Sequence, residues 1–133
     1  MSNYLLDTNT ISDIIHNPNG RVIARMHHVG EHRACISIIV AAELRFGVAK
    51  GVSRSFAEKV EALLERFAVL PLAPPIDRVY ADLRADLSAR GKPIGSNDML
   101  IAAHALALDY VLVTDNMREF SRIKGLRVEN WLR

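Results

Sequence analysis

Tyr4-Leu5-Leu6-Asp7-Thr8-Asn9 and Tyr110-Val111-Leu112-Val113-Thr114-Asp115-Asn116 each carry a short apolar run into an aspartate. Each run reads as a strand. After Asp7 the spacing changes: Ile11, Ile14 and Ile15 recur at the helical period, so the chain passes from a strand into a helix with an acid at the junction. Outward from these stretches the alternation continues. Helices are expected over residues 21–29, 39–48, 56–67, 76–89 and 98–108, with a break at Gly51-Val52-Ser53 and a stop at Gly91. Strands are expected over residues 34–37, around Val69-Leu70, and over residues 127–129. Strands separated by helices need crossover connections, which implies an α/β fold with a mostly parallel central sheet flanked by helices on both faces. In such sheets ligands bind beyond the carboxyl ends of the strands.

The 133 residues suffice for one well-buried core, so residues 1–133 are expected to form a single domain. Half the residues are hydrophobic but only 6% are aromatic, so that core must come from Ile, Leu, Val and Ala. No apolar stretch approaches the roughly twenty residues of a membrane span. The start, Met1 to Asp7, has no basic region and reaches a charge too early for a signal peptide, which points to the cytoplasm. Cys35 is the only cysteine, which excludes a disulfide framework and a cysteine-rich zinc site. A net charge of +2 permits a polyanionic partner without demanding one.

Most acids have an ordinary explanation. Glu58, Glu61 and Glu65 form a solvated helix stripe, Asp86 precedes Arg90 by four residues as an ion pair would, and Asp13 could support the helix start near Thr10. Four others stand apart. Asp7 and Asp115 each close an apolar strand, and although Asp7 suits a helix N-cap and Asp115 a turn, both fall where an open α/β sheet places its chemistry. Glu43 has Ile39, Val40, Phe46 and Gly47 as its helical neighbours, so no local cation pairs with it. Asp98 opens an apolar helix after Gly95-Ser96-Asn97, where the helix dipole favours an acid and Ser96 or Asn97 would cap. If these ends converge, several carboxylates share one pocket and call for a divalent cation, magnesium or manganese rather than zinc.

These residues, in this order, resemble a known family. Leu5-Leu6-Asp7-Thr8-Asn9, Ala42-Glu43-Leu44-Arg45-Phe46-Gly47, Pro93 to Ala105, Leu112 to Phe120 and Gly125 to Trp131 are similar to VapC toxins, PIN-domain ribonucleases paired with VapB antitoxins. The resemblance runs the whole chain. It implies that Asp7 and Asp98 are central metal-binding carboxylates and Glu43 a third acid. Many PIN domains carry Asp two residues after the threonine that closes the late strand, whereas this chain has Asn116 there. The fourth acid therefore lies open between Asp115 and Glu119. Carboxylate-held magnesium lowers the pKa of a water and neutralises charge at the scissile phosphate, so hydrolysis of RNA needs no His or Lys base.

The resemblance also implies a cytoplasmic endoribonuclease toxin that acts on structured RNA (tRNA-like or rRNA), forms a homodimer, and meets DNA only through a VapB-like antitoxin. The antitoxin tail would lie along a groove beside the helix of residues 39–48 and direct an Arg at Asp7, Glu43 and Asp98. Leu44, Phe46 and Val48 give that helix more apolar surface than one small core needs. The alternative is a PIN-like scaffold that binds RNA or protein without cutting, which predicts loss of a central acid. A phosphatase start at Asp7-Thr8-Asn9-Thr10 lacks its second aspartate, and a phosphorelay receiver needs its threonine before Lys92-Pro93, not after. His27, His28 and His32 read as surface, with Gly30 interrupting the helix between the last two, and His104 reads as packed or hydrogen-bonded. Arg21, Arg25, Arg33, Arg45, Lys50 and Arg54 are candidate phosphate contacts, and Lys92 and Arg118 flank acidic motifs.

Overall fold

The computed structural model describes residues 2–51 and 53–133. Met1 and Val52, the middle of the expected Gly51-Val52-Ser53 break, lie outside the described residues. Five parallel strands form one sheet: β1 (Tyr4–Leu6), β2 (Ala34–Ser37), β3 (Ala68–Leu70), β4 (Val111–Val113) and β5 (Val128–Glu129). Their order is β3-β2-β1-β4-β5. Between them run α1 (Thr8–His16), α2 (Arg21–Val29), α3 (Ile38–Ala49), α4 (Arg54–Arg66), α5 (Ile76–Ala89), α6 (Ser96–Leu108) and the single turn α7 (Met117–Phe120). Among the described residues no helix is long and apolar enough to cross a membrane.

The strand order decides where a site forms. From β1 to β3 the chain steps one way across the sheet, and from β3 to β4 it returns past β1 to the other side. Right-handed crossovers therefore put α1–α4 on one face and α5–α6 on the other. The reversal leaves a crevice between the carboxyl ends of β1 and β4, the switch point at which open α/β sheets bind ligands. The interior is aliphatic: Leu5, Leu6, Ile11, Ile36, Val40, Ile101 and Leu112 are fully buried around the central strands.

Expected and observed elements differ at their ends. The helix expected from residue 98 begins at Ser96, with Gly95 as its N-cap and no side chain capping it, so neither Ser96 nor Asn97 caps. The helix expected through Phe67 ends at Arg66, because Phe67 already has extended backbone leading into β3. Asp13 does not support the start of α1; Asp7 caps that end, and Asp13 accepts from the Asn17 side chain at the other. The surplus assigned to Leu44 is absent as well, since Leu44 is buried, while Ile38 and Phe46 on the same helix are exposed.

One buried polar contact joins the two helices that carry Glu43 and Asp98. Ser37 Oγ accepts from the Ile39 N–H at the start of α3 and lies 2.9 Å from Nδ1 of His104 on α6. Burial pushes the His104 pKa down, so the imidazole stays neutral and holds the contact as a dipole. Ser37→Ala removes the cap and strands a buried imidazole nitrogen, so we expect a loss of about 2 kcal/mol in urea denaturation. An unchanged midpoint would mean that the contact does not fasten these helices together.

Candidate active site

Asp7 sits at the junction of β1, β4 and α1, and all three fix it. Leu6 is in register with Val113, and the Asp7 N–H continues the ladder to the Val113 carbonyl at 2.8 Å. One carboxylate oxygen, Oδ1, accepts from the Thr8 N–H at 2.8 Å, the capping bond that starts α1. The other, Oδ2, accepts from Thr114 Oγ1 at 2.8 Å, and that hydroxyl in turn accepts from the Asn116 N–H at 3.1 Å. Thr10 Oγ1 donates to the Val113 carbonyl from the next turn of α1. With Asp7 and Thr114 both buried, the carboxylate has one orientation, and each oxygen keeps a lone pair for a further partner.

The other acids arrive from separate elements. Glu43, half-buried on α3, accepts from Thr8 Oγ1 at 3.0 Å, so adjacent residues tether Asp7 and Glu43. Asp98 occupies the first turn of α6 and is half-buried, and among the described residues its carboxylate finds no hydrogen-bond donor. Asp115 is exposed and accepts from Asn9 Nδ2 at 3.0 Å. Glu119 is half-buried on α7 and accepts from Asn116 Nδ2 at 3.1 Å.

Their electrostatics show that these groups face one another. Burial raises the Asp98 pKa to about 6, with the charges of Asp7, Glu119 and Glu43 adding to the rise. Burial also raises Asp7, against the hydrogen bonds from Thr114 and Thr8, and Asp115 pushes it further up. Glu43 is raised by burial and by Asp7, with Thr8 opposing. Glu119 thus acts on Asp98 and Asp115 on Asp7, and Asn116 ties the side chain of one and the backbone beside the other into the same turn. Among the described residues none of the ion pairs involves Asp7, Glu43 or Asp98. Nor do any three His, Cys, Asp or Glu side chains among them stand close enough together, as placed, to hold a metal ion. Carboxylates that repel across a half-buried pocket, with oxygen donors only, nonetheless suit a hard divalent cation that keeps part of its water shell.

Comparisons with known proteins place the chain in a family. The PIN domain family matches residues 4–126. A ribonuclease VapC2 of Haemophilus influenzae is 37% identical over 134 residues, covering 99% of this chain and all of that one. The tRNA(fMet)-specific endonuclease VapC of Salmonella typhimurium is 37% identical over 133 residues, covering 98% and 99%. The chain belongs to the VapC ribonucleases of the PIN-domain family. Its fold matches the crystal structure of VapBC2 from Rickettsia felis bound to a promoter DNA fragment, with a TM-score of 0.90 at 35% identity over 96% of this chain and 98% of that one. It also matches DNA-bound VapBC from Salmonella typhimurium, with a TM-score of 0.88 at 36% identity over 98% and 99%.

In this VapC-family chain, Thr8 and Thr114 are the residues that sequence reasoning passed over. Both lie beside the strand-closing acids, and Thr114 follows Val113 as Asp7 follows Leu6. Their register across β1 and β4, once known, identifies the pair. His27, His28 and His32 are exposed, as expected, and Arg45 is engaged by Glu61.

The Asp98 shift has a measurable sign. A carboxyl with a folded pKa near 6 against an ordinary value of 3.8 binds protons more readily folded than unfolded. Between those values stability is therefore gained as pH falls and lost as pH rises. In metal-free buffer at pH 7, Asp98→Asn should stabilise the fold by roughly 1–2 kcal/mol after solvent screening, and the gain should vanish near pH 4. A variant less stable than wild type at pH 7, by thermal denaturation, would show that Asp98 is not held against repulsion.

Proposed function

We propose that residues 1–133 act as one domain, a magnesium-dependent endoribonuclease that serves as the toxin of a bacterial toxin–antitoxin pair in the cytoplasm. The observation that carries this reading is that Asp7 raises the pKa values of Glu43 and Asp98 near the switch point of the sheet, and Glu43 that of Asp98, while, among the described residues, none of the ion pairs involves them. Asp7, Asp98 and Glu43 would hold the magnesium, or manganese in its place. Asp115 or Glu119 would complete the set through the turn that Asn116 organises. When bound, the metal supplies a water of lowered pKa and charge neutralisation at the phosphate.

The chain's own residues do the positioning. Thr114 and the Thr8 amide fix the Asp7 carboxylate in one rotamer, and the Thr8 hydroxyl orients Glu43 toward the same space. Asp98, without a donor of its own, is the acid freest to adjust to what binds. The substrate is structured RNA, tRNA-like or ribosomal, and the name of the Salmonella relative supports the first of these. A VapB-like antitoxin would silence the enzyme, its tail lying along α3, where Ile38 and Phe46 expose apolar surface, and an Arg reaching the acids. DNA would be met only through that antitoxin. The protomer would pair with a second copy, to which Phe46 contributes. The non-cleaving scaffold is disfavoured because the three central acids remain together.

Asp7→Asn and Asp98→Asn should each reduce cleavage at least a hundredfold with the fold retained, read on total RNA in magnesium with the cut ends mapped by sequencing. Near wild-type cutting by either purified variant sinks the mechanism. For the assembly, wild type should run as a dimer in light scattering at micromolar concentration, with Phe46→Ala shifted toward monomer. A wild-type monomer under those conditions rejects the pairing.

A further inference from the structure

Between α2 and the segment from β5 to the C-terminal residue lies a cleft of a different character. Its volume is about 720 Å³, within the range of ligand sites. Arg21, Arg25 and His28 line one wall at intervals of four and three residues, so α2 presents them as one row. Arg133, the buried Trp131 and Met117 of α7 also line it. The single acid of the lining, Glu129, is already engaged: its carboxylate accepts from Trp131 Nε1 at 3.0 Å and pairs with Arg25 at 3.8 Å. Arg21 and Arg133 form no ion pair among the described residues.

The cleft is joined to the acid cluster through covalent neighbours. The Glu129 carbonyl accepts from the Thr114 N–H at 3.0 Å, and Thr114 is the residue that orients Asp7. Met117 follows Asp115 and Asn116 directly. Of the six basic residues expected as phosphate contacts, Arg45 is engaged by Glu61 and Lys50 lies over the Phe46 ring, whereas Arg21 and Arg25 both line this cleft, Arg25 with only a long 3.8 Å pairing to Glu129. A polyanion that reached the acids from this side would pass along a row of guanidinium groups.

We propose that this cleft binds the phosphodiester backbone of a single-stranded segment of the RNA substrate, outside the acid cluster where the bond is cut. The inference rests on the nuclease reading and adds to it where the substrate is gripped. Neither Arg21 nor Arg25 is among the groups whose charge perturbs Asp7, Glu43 or Asp98, so the row's effect falls on capture of long RNA rather than on hydrolysis. Guanidinium groups bind phosphate without reading bases, so the cleft supplies affinity and direction rather than sequence choice.

Binding of a fluorescein-labelled 20-nucleotide single-stranded RNA to the Asp98→Asn protein, read by anisotropy over a salt series in magnesium and again in EDTA, tests the cleft. Adding Arg21→Gln and Arg25→Gln to that protein should weaken binding about tenfold or more at low salt. It should also lower the salt slope by about 1.4, the loss of two single-strand phosphate contacts. Arg21→Glu alone, at an exposed position with no ion pair, should give a comparable loss and serves if the double variant does not fold. With Asp98 intact, the double variant should raise KM for long RNA and leave kcat unchanged. Unchanged affinity and slope in both variants would overturn the proposal. So would binding of an acidic polypeptide by the cleft that RNA fails to displace. Failure of the wild type to cut any RNA would instead remove the nuclease reading, a result distinguishable because the anisotropy measurement requires no cleavage.

Discussion

Like charges held close together in a half-buried pocket repel, and in this molecule the repulsion is organised rather than relieved. Asp7, Glu43 and Asp98 come from a strand end, a mid-helix position and a first helical turn, separated by tens of residues in sequence. No loop motif brings them together; the reversal of strand order between β1 and β4 does. The surrounding architecture then answers one question, how to keep these carboxylates in place while denying them a permanent cation. Ion pairs elsewhere on the surface show that the chain has Arg and Lys to spare, yet none is directed into this pocket among the described residues.

Hydroxyl groups provide the answer. A threonine that donates to a carboxylate fixes its direction and stabilises its charge modestly, while leaving its remaining lone pairs free. An arginine in the same place would neutralise the acid and compete with any metal. Thr114 on Asp7 and Thr8 on Glu43 are therefore the partners expected where geometry must be fixed and charge preserved. Burial, with the charges of Asp7, Glu119 and Glu43 added to it, raises the Asp98 pKa to about 6, and among the described residues no donor offsets the rise. A cation bound among these acids would be favoured by the energy that their proximity otherwise costs.

Much of this was legible in the sequence, for identifiable reasons. The strand-ending positions of Asp7 and Asp115, and the apolar helical surroundings of Glu43, are local patterns that period and neighbour identity reveal. Element types followed from the same signals, while ends such as Ser96 and Arg66 did not, because a terminal residue is settled by tertiary contacts that the local pattern does not contain. The roles of Thr8 and Thr114 depend on the register of Tyr4–Leu6 against Val111–Val113, a pairing across more than a hundred residues. Leu44 shows the converse limit: an apolar residue on a crowded helix looks like surplus until the packing of α3 against the sheet shows that the core claims it. The Asp115 and Glu119 alternatives stayed open because they differ by one helical turn, a distance that sequence spacing does not resolve. The structure sets both against the cluster, each upon a different central acid.

The modest net charge of +2 conceals a division that matters for a polyanionic substrate. A pocket of carboxylates repels RNA unless a metal is bound, so the acid centre by itself gives the substrate no reason to approach. Guanidinium groups within the pocket would solve that difficulty and create another, by pairing with the carboxylates proposed to hold the metal. Placing the positive charge on α2 avoids both: Arg21 and Arg25 line a cleft with β5, where Glu129 pairs with Arg25, and neither arginine pairs with Asp7, Glu43 or Asp98 among the described residues. The parallel sheet makes this placement stable, because β4 and β5 are held in register and the Thr114 amide is bonded to the Glu129 carbonyl. The residue that orients the Asp7 carboxylate is thus hydrogen-bonded to the wall of the basic cleft, so one strand pair links the two.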